Sequence, residues 1–229
     1  MENPDEPEFP RPIASVDLVI FAQSDRRLDV LLARRANPPF VGDWALPGGF
    51  VHADVDADLE AAARRVLSDK TGVETPYLEQ LASFGGATRD PRGWSLSVVY
   101  MALILADRVT LRSGAGTTEA QWFQADTKVS LAFDHRDILG AALDRLRSKV
   151  GYSTLPAHLL PEAFTLGELQ AVYEGILGRA LEKSAFRKRI AEADFVEPIT
   201  GEMRRASNRP AQLYRLKRAR HTTLFDRAL

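Results

Sequence analysis

Residues 87–94, ATRDPRGW, bring together groups suited to holding a nucleotide. Arg89, Arg92 and Trp94 surround Asp90-Pro91-Arg92-Gly93, which fits a type I turn with proline second and glycine fourth. Guanidinium groups hold a pyrophosphate by paired hydrogen bonds, and an indole stacks on adenine. A hairpin tip with solvated arginines is the plain alternative. Arg34 and Arg35, close to Pro38 and Phe40, are further pocket candidates, or else a solvated strand end. A second chemistry lies in EKSAFRKRIAEADF. At 100° per residue Phe186 and Ile190 turn inward with Ala193 nearby, while Ser184, Arg187, Lys188 and Ala191 turn outward. A basic, small-residue outer face on an apolar base suits a DNA major groove, although a merely solvated charged face has the same pattern.

The elements that must carry these groups fall into two patterns. Short β-rich runs cover 15–21, 30–34, 78–83, 96–106 and 120–123. A helix interrupts them: Asp58 can cap it, Leu59, Ala62, Ala63, Val66 and Leu67 repeat at helical spacing, and Gly72 can end it. A second helix is expected over 135–149, from Ile138, Ala141, Ala142, Leu143 and Leu146. This order indicates a mixed α/β domain.

Gly151, Pro156 and Pro161 break both periods, so 151–161 is expected to be a linker. Beyond it, Thr165 and Glu168 match a capping box, and Phe164 and Leu169 match a hydrophobic staple. Leu166, Leu169, Tyr173, Ile176 and Leu177 then form one apolar stripe ending at Gly178. After the basic helix, 195–198 and 211–216 can pair as strands around the basic tip GEMRRASNRP. Arg204, Arg205 and Arg209 on that tip suit phosphate or minor-groove contact. The DNA-contact candidates are thus Ser184, Arg187, Lys188 and Arg189 on the helix, Thr165 before it, and Arg204, Arg205, Asn208 and Arg209 on the hairpin.

The expected organisation is an arm over 1–14, a sensing domain over 15–150, the linker, and a small DNA-binding domain over 162–229. Charge divides along the same line. Residues 1–150 hold 17 basic and 22 acidic side chains, net −5, and residues 151–229 hold 13 and 9, net +4. An acidic front and basic back suit a polyanion met only by the back, or reflect ordinary surface variation. The acidic, proline-rich start lacks the features of a signal peptide, and the longest apolar tract, 98–106, falls short of the roughly 20 residues that cross a bilayer. With no cysteine to form disulfides or thiolate metal sites, a soluble cytoplasmic protein without a membrane span is expected.

The stretch WALPGGFVHADVDADLEAAARRVLSDKTGV resembles the Nudix box, G-x5-E-x7-R-E-U-x-E-E-x-G-U with U aliphatic. Gly49, Arg65, Leu67, Gly72 and Val73 match its scaffold positions. For an active member the resemblance implies hydrolysis of a nucleoside diphosphate derivative, with the box glutamates holding magnesium. Here the position after Arg65 is Val66, and the glutamate pair is Asp69 and Lys70. Arg65 lies 16 residues after Gly49 where the pattern gives 14, so the early glutamate falls on Val55 or Ala57, with Asp54, Asp56 and Asp58 as neighbouring substitutes. Val66 and Lys70 share one helix face, and an ammonium there repels a divalent cation. The expectation is a non-catalytic domain that keeps a pocket, with Gly48, Gly49, Phe50, Arg65, Asp69 and Lys70 joining Arg34, Arg35, Arg89, Arg92 and Trp94 as ligand-binding candidates. Lys70 itself could take the place of the metal as a partner for phosphate.

Helix, turn, basic helix and basic hairpin resemble a winged helix-turn-helix. The whole, from about residue 15 to 217, is similar to the Nudix-related transcriptional regulators of NAD metabolism, most specifically in AFTLGELQAVYEGILGRALEKSAFRKRI, NRPAQLYRL and LAFDHRDI. That resemblance implies an α/β Nudix sandwich followed by a winged helix-turn-helix. It also implies a homodimer on double-stranded palindromic operator DNA near NAD biosynthesis or salvage genes. ADP-ribose or a related NAD-derived nucleotide is the implied effector, and no cofactor is required. The alternative is a Nudix hydrolase acting on ADP-ribose or another nucleoside diphosphate derivative.

Overall fold

A computed structural model describes residues 11–24, 26–72, 75, 77–106, 109, 116–204 and 210–217. The chain runs β1 (Ile13–Ser24), β2 (Arg27–Arg35), β3 (Trp44–Ala45), β4 (Gly48–Phe50), α1 (Leu59–Thr71), β5 (Tyr77–Gly86), β6 (Ser95–Leu103), β7 (Thr117–Gln124) and α2 (His135–Val150). After a short 3-10 helix, Leu155–Leu159, come β8 (Phe164–Thr165), α3 (Leu166–Leu177), α4 (Lys183–Ala193), β9 (Val196–Arg204) and β10 (Ala211–Leu216).

The first seven strands form one mixed sheet in the order β3-β2-β1-β6-β5, with β4 on β1 and β7 on β2. β1 and β6 are parallel, and the other pairs are antiparallel. β1 shows why both faces must be covered. Val16, Leu18, Ile20 and Ala22 pack with Ala62, Ala63, Val66 and Leu67 of α1. The alternate residues Val19 and Phe21 join a second core with α2, the 3-10 helix and the back half of the chain. A period of two sends successive side chains to opposite faces, so a nearly unbroken apolar strand needs a helix on each side.

Caps agree with the sequence reading. Asp58 accepts from the Ala61 N–H at 2.7 Å, and Gly72 closes α1 in the left-handed region. Thr165 and Glu168 form the reciprocal capping box of α3, and Gly178 ends it at φ +67°. The Asp90–Gly93 turn is closed by the Gly93 N–H donating to the Asp90 carbonyl at 3.2 Å.

The structure adds detail to several expected segments. The segment 151–161 is no free linker: Ser153 and Leu155 are fully buried, the Tyr173 hydroxyl donates to the Ser153 carbonyl at 3.2 Å, and Leu155, Ala157 and Leu159 fill the core. Proline stops the α period there but suits the start of a 3-10 turn, whose alternate leucines still find an apolar surface. The apolar run expected over 96–106 is strand only to Leu103, and the short strand expected over 120–123 widens to Thr117–Gln124. The strand expected over 195–198 runs on to Arg204, so Arg204 is a strand residue. The expected arm lies mostly outside the described residues, and its last two positions, Ile13 and Ala14, already belong to β1.

The back half is a three-stranded sheet, β8-β10-β9, carrying α3 and α4. It shares the core of the front half: Phe164, Leu169, Val172, Tyr173, Ile176, Phe186 and Ile190 are contiguous with Phe21, Leu28 and Ile138. Arg26 of the β1–β2 turn binds Glu174 of α3 at 2.7 Å. A Cβ on Gly175 would come within 3.0 Å of the Gln23 side chain and 3.1 Å of the Arg26 carbonyl, so α3 seats closely on that turn. Among the described residues no helix is long and apolar enough to cross a membrane.

Candidate functional site

A cleft opens where the ends of β1, β2 and β4 meet the start of α2. Arg34, Arg35, Gly48, Gly49, Phe50, Lys70, Arg89 and Arg92 all line it. Arg65, Asp69 and Trp94 do not. Trp94 is 53% exposed beside the turn, and Asp69 faces solvent on the outer side of α1. Arg65 is spent on structure, gripping Asp56 with two contacts of 2.7 Å and donating to the Phe50 carbonyl at 3.0 Å. The Arg65 hydrogen bonds hold the Asp56 carboxyl down to about 2.

The cleft arginines differ in freedom. Arg89 is nearly buried, fixed by two 2.8 Å contacts with Asp134 and one of 3.2 Å with the Ser95 hydroxyl. Burial opposes its charge, but Asp134, Asp17 and Asp90 more than offset that and raise its pKa. Arg92 binds Asp90 within its own turn and lies 5.3 Å over the Phe50 ring. Arg35 stacks 4.7 Å from the Phe133 ring and donates to the carbonyls of Pro39 and Asn37. Among the described residues it bonds no carboxylate directly, and burial followed by repulsion from Arg92 lowers its pKa. Arg34 donates to the Gly42 carbonyl at 2.9 Å and reaches Glu119 at 3.4 Å. Of this set, Arg35 is best placed to take an incoming anion, with Arg92 beside it.

On α1, Val66 is buried and packs under the box glycine: a Cβ on Gly49 would lie 3.0 Å from Val66 Cγ2. Lys70 is 7% exposed and donates to the Thr117 hydroxyl at 2.9 Å. Burial pulls its pKa down. Two of the acids expected as neighbouring substitutes in the box are engaged, Asp56 with Arg65 and Asp58 with the helix cap.

Several cleft residues escaped the sequence reading: Asp17, Asp90, Thr117, Phe133 and His135. A signal existed for two groups of them. Asp17 is a lone acid in the apolar run IASVDLVIFA, and Phe133 and His135 lie in LAFDHRDI, a segment already singled out without a role. The backbone N–H of Leu46 donates to His135 Nδ1 at 2.9 Å, and burial lowers the imidazole pKa. The neutral ring therefore carries its hydrogen on Nε2.

The second candidate surface is α4. Phe186 and Ile190 are buried, with the Phe186 ring edge-on to Tyr173 at 5.3 Å, while Ser184, Arg187, Lys188 and Arg189 are all exposed. Glu182 caps the helix from the Ser184 and Ala185 N–H groups. Thr165 and Arg204 each have structural partners. The Thr165 hydroxyl is engaged in the capping box, and Arg204 turns back to Glu168 and to the Ala163 carbonyl, tying the wing to the start of α3. Arg205, Asn208 and Arg209 lie outside the described residues.

Comparison with known proteins follows the same two halves. The NUDIX domain model matches residues 11–141, and the NrtR DNA-binding winged helix domain model matches residues 156–216. The ADPR responsive transcriptional repressor NtrR of Acinetobacter baylyi is 45% identical over 224 residues, 97% of this chain and 89% of that protein. The crystal structure of Shewanella oneidensis NrtR complexed with a 27mer DNA superposes with a TM-score of 0.84 at 39% identity, covering 94% of this chain and 99% of that one. The NUDIX domain of the same Shewanella oneidensis protein, complexed with ADP ribose, superposes with a TM-score of 0.57 at 41% identity, over 60% of this chain and 90% of that one. The chain belongs to the NrtR family of transcriptional regulators, with a Nudix domain followed by a winged-helix DNA-binding domain.

Proposed function

We propose that the protein is a transcriptional repressor of NAD biosynthesis or salvage genes. In this reading it binds a palindromic operator as a homodimer and senses ADP-ribose, or a related NAD-derived nucleotide, through a Nudix domain that does not hydrolyse it. The observation that carries the reading is the pairing of an exposed basic helix with an arginine-lined cleft on one continuous core. The relatives' DNA and ADP ribose complexes support the choice of partners. Action on operator DNA agrees with the cytoplasmic location expected from the sequence.

The absence of hydrolysis rests on the α1 face toward the cleft. A hard divalent cation wants several oxygen ligands at about 2.0–2.1 Å. Val66 offers a methyl surface, Lys70 an ammonium group, and Asp69 points to solvent. These residues do not fit a magnesium site, and a phosphate can instead meet Lys70 and Arg35.

A path between ligand and DNA is built into β2. Its last residues, Arg34 and Arg35, line the cleft, and its first residue follows Arg26, which holds Glu174 of α3. Glu174 also accepts from the Leu181 N–H at 3.0 Å, in the turn that leads to α4. A ligand that moves the far end of this strand acts on the seat of the reading head. It shifts DNA affinity only to the extent that it binds the two arrangements differently.

The test is a gel shift of the full chain against its own upstream regions, with and without ADP-ribose. A palindrome-containing fragment is retarded at low salt, affinity falls with rising salt, and ADP-ribose changes it. Failure to retard any such fragment ends the repressor reading. Incubation of ADP-ribose with the protein and Mg2+ or Mn2+ gives no product; turnover of about 1 per second or more makes it an enzyme.

A further inference from the structure

Asp17 interrupts the apolar face of β1 at the floor of the cleft, where it is 7% exposed. Ser97 donates to its Oδ2 at 2.6 Å, and an Arg89 nitrogen lies 3.8 Å from the same oxygen. Its other oxygen, Oδ1, lies 3.8 Å from His135 Nε2. Gly48 sits directly against it: a Cβ there would fall 2.1 Å from Oδ1, so only glycine leaves the carboxylate in place. Asp17, Gly48, Arg89 and His135 all line the cleft.

The floor thus presents an acceptor, Asp17 Oδ1, and a donor, the Nε2–H that His135 keeps because Leu46 occupies its Nδ1. At 3.8 Å they are too far apart to satisfy each other. An oxygen placed about 2.8 Å from both accepts from the imidazole and donates to the carboxylate, provided it carries a hydrogen. A hydroxyl meets both demands. A phosphate oxygen brings negative charge to a carboxylate and no hydrogen, and a protonated amine or an amide nitrogen offers no available lone pair to the Nε2–H.

We propose that Asp17 and His135 together read a hydroxyl on the sugar beyond the pyrophosphate of a nucleoside-diphosphate sugar, with Arg35 and Arg92 taking the pyrophosphate nearer the mouth. The assignment rests on the cleft being the nucleotide site, and it makes that site selective for a free sugar over a bare nucleoside diphosphate.

The test is calorimetric titration of the full-length wild type, Asp17→Asn and Ser97→Ala with ADP-ribose and with ADP, which lacks the second sugar. Asp17→Asn weakens ADP-ribose by about tenfold or more and does not weaken ADP. Ser97→Ala loosens the carboxylate and gives the same selective loss on a smaller scale, which keeps the test alive should Asp17→Asn not fold. Unchanged ADP-ribose binding in both variants overturns the assignment and leaves the gap to a water molecule. Equal loss for the two ligands also overturns it, pointing to a structural role for Asp17. A wild type that binds neither ligand removes the nucleotide-effector reading itself, and this assignment falls with it.

Discussion

The carboxylate-paired arginines of the front half and the basic residues of α4 put the same chemical groups to opposite uses. Arg89 is enclosed and doubly bound to Asp134, Arg92 is bound to Asp90, and Arg65 to Asp56. On α4, Arg187 and Arg189 stand exposed, and among the described residues Lys188 makes only a long 3.9 Å contact with Glu192. Cations that are paired and buried hold a shape, because separating them leaves a charge without solvent or partner. Exposed cations on a rigid helix have no buried ion pair to break first and are available to phosphate. A basic count therefore says little about ligand contact until each guanidinium's partners are known.

The largest effect that can break this comparison is on Arg89. Arg89→Ala leaves Asp134 and Asp17 uncompensated and is expected to cost about 3–5 kcal/mol, read as a lowered midpoint in urea unfolding. A near-neutral result would mean that Arg89 belongs with the free arginines. Arg187→Ala should do the reverse: operator affinity falls by about 1–3 kcal/mol in a fluorescence anisotropy titration, while the melting temperature stays where it was. If instead stability drops and DNA binding holds, α4 is not the reading helix.

Thr165 sharpens the boundary between the two uses. It was a candidate DNA contact, but its hydroxyl caps α3, so Thr165→Ala is expected to cost about 1 kcal/mol of stability. The salt slope of DNA binding should not change, since no phosphate contact is lost.

A pH series probes the buried side. Burial lowers the His135 pKa below its ordinary 6.5, so below that value the unfolded chain binds a proton that the folded chain resists. Stability is fully present above about pH 6.5 and declines as the pH falls toward the folded value, with His158 contributing in the same direction. His135→Asn, whose amide oxygen can still accept from Leu46, should flatten part of that decline in thermal melts; an identical profile would reassign it to other groups. A small stability effect is expected at Arg26, whose side chain is 71% exposed: Arg26→Ala changes folding by no more than about 1 kcal/mol. Its informative readout is regulation. Operator binding without nucleotide survives, and the change caused by ADP-ribose shrinks; an undiminished response would exclude the β2–α3 contact as the coupling path.

Much of the fold was legible because local rules carried it. Asp58 with Gly72, Thr165 with Glu168 and Gly178, and the Asp90–Gly93 turn follow from neighbours within a few residues, which is the range over which caps and turns act. The exposure of Ser184, Arg187 and Lys188 opposite Phe186 and Ile190 followed from helical period alone. The cleft was half legible. Gly48, Gly49 and Lys70 stood in a recognisable motif, whereas Asp17, Phe133 and His135 come from β1 and the start of α2, up to 118 positions apart in sequence.

What the sequence by itself determined was the kind of groups available, the two successive architectures, and the presence of Val66, Asp69 and Lys70 on the helix after the glycine loop. Only the tertiary structure decided which of those groups face the cleft. It turned Trp94 and Asp69 outward, locked Arg65 and Arg204 into structural ion pairs, buried the supposed linker, and set Asp17 against His135. The reason is physical: period and capping act within one element, while partner choice for a charged side chain depends on which other elements the common core brings within hydrogen-bond reach.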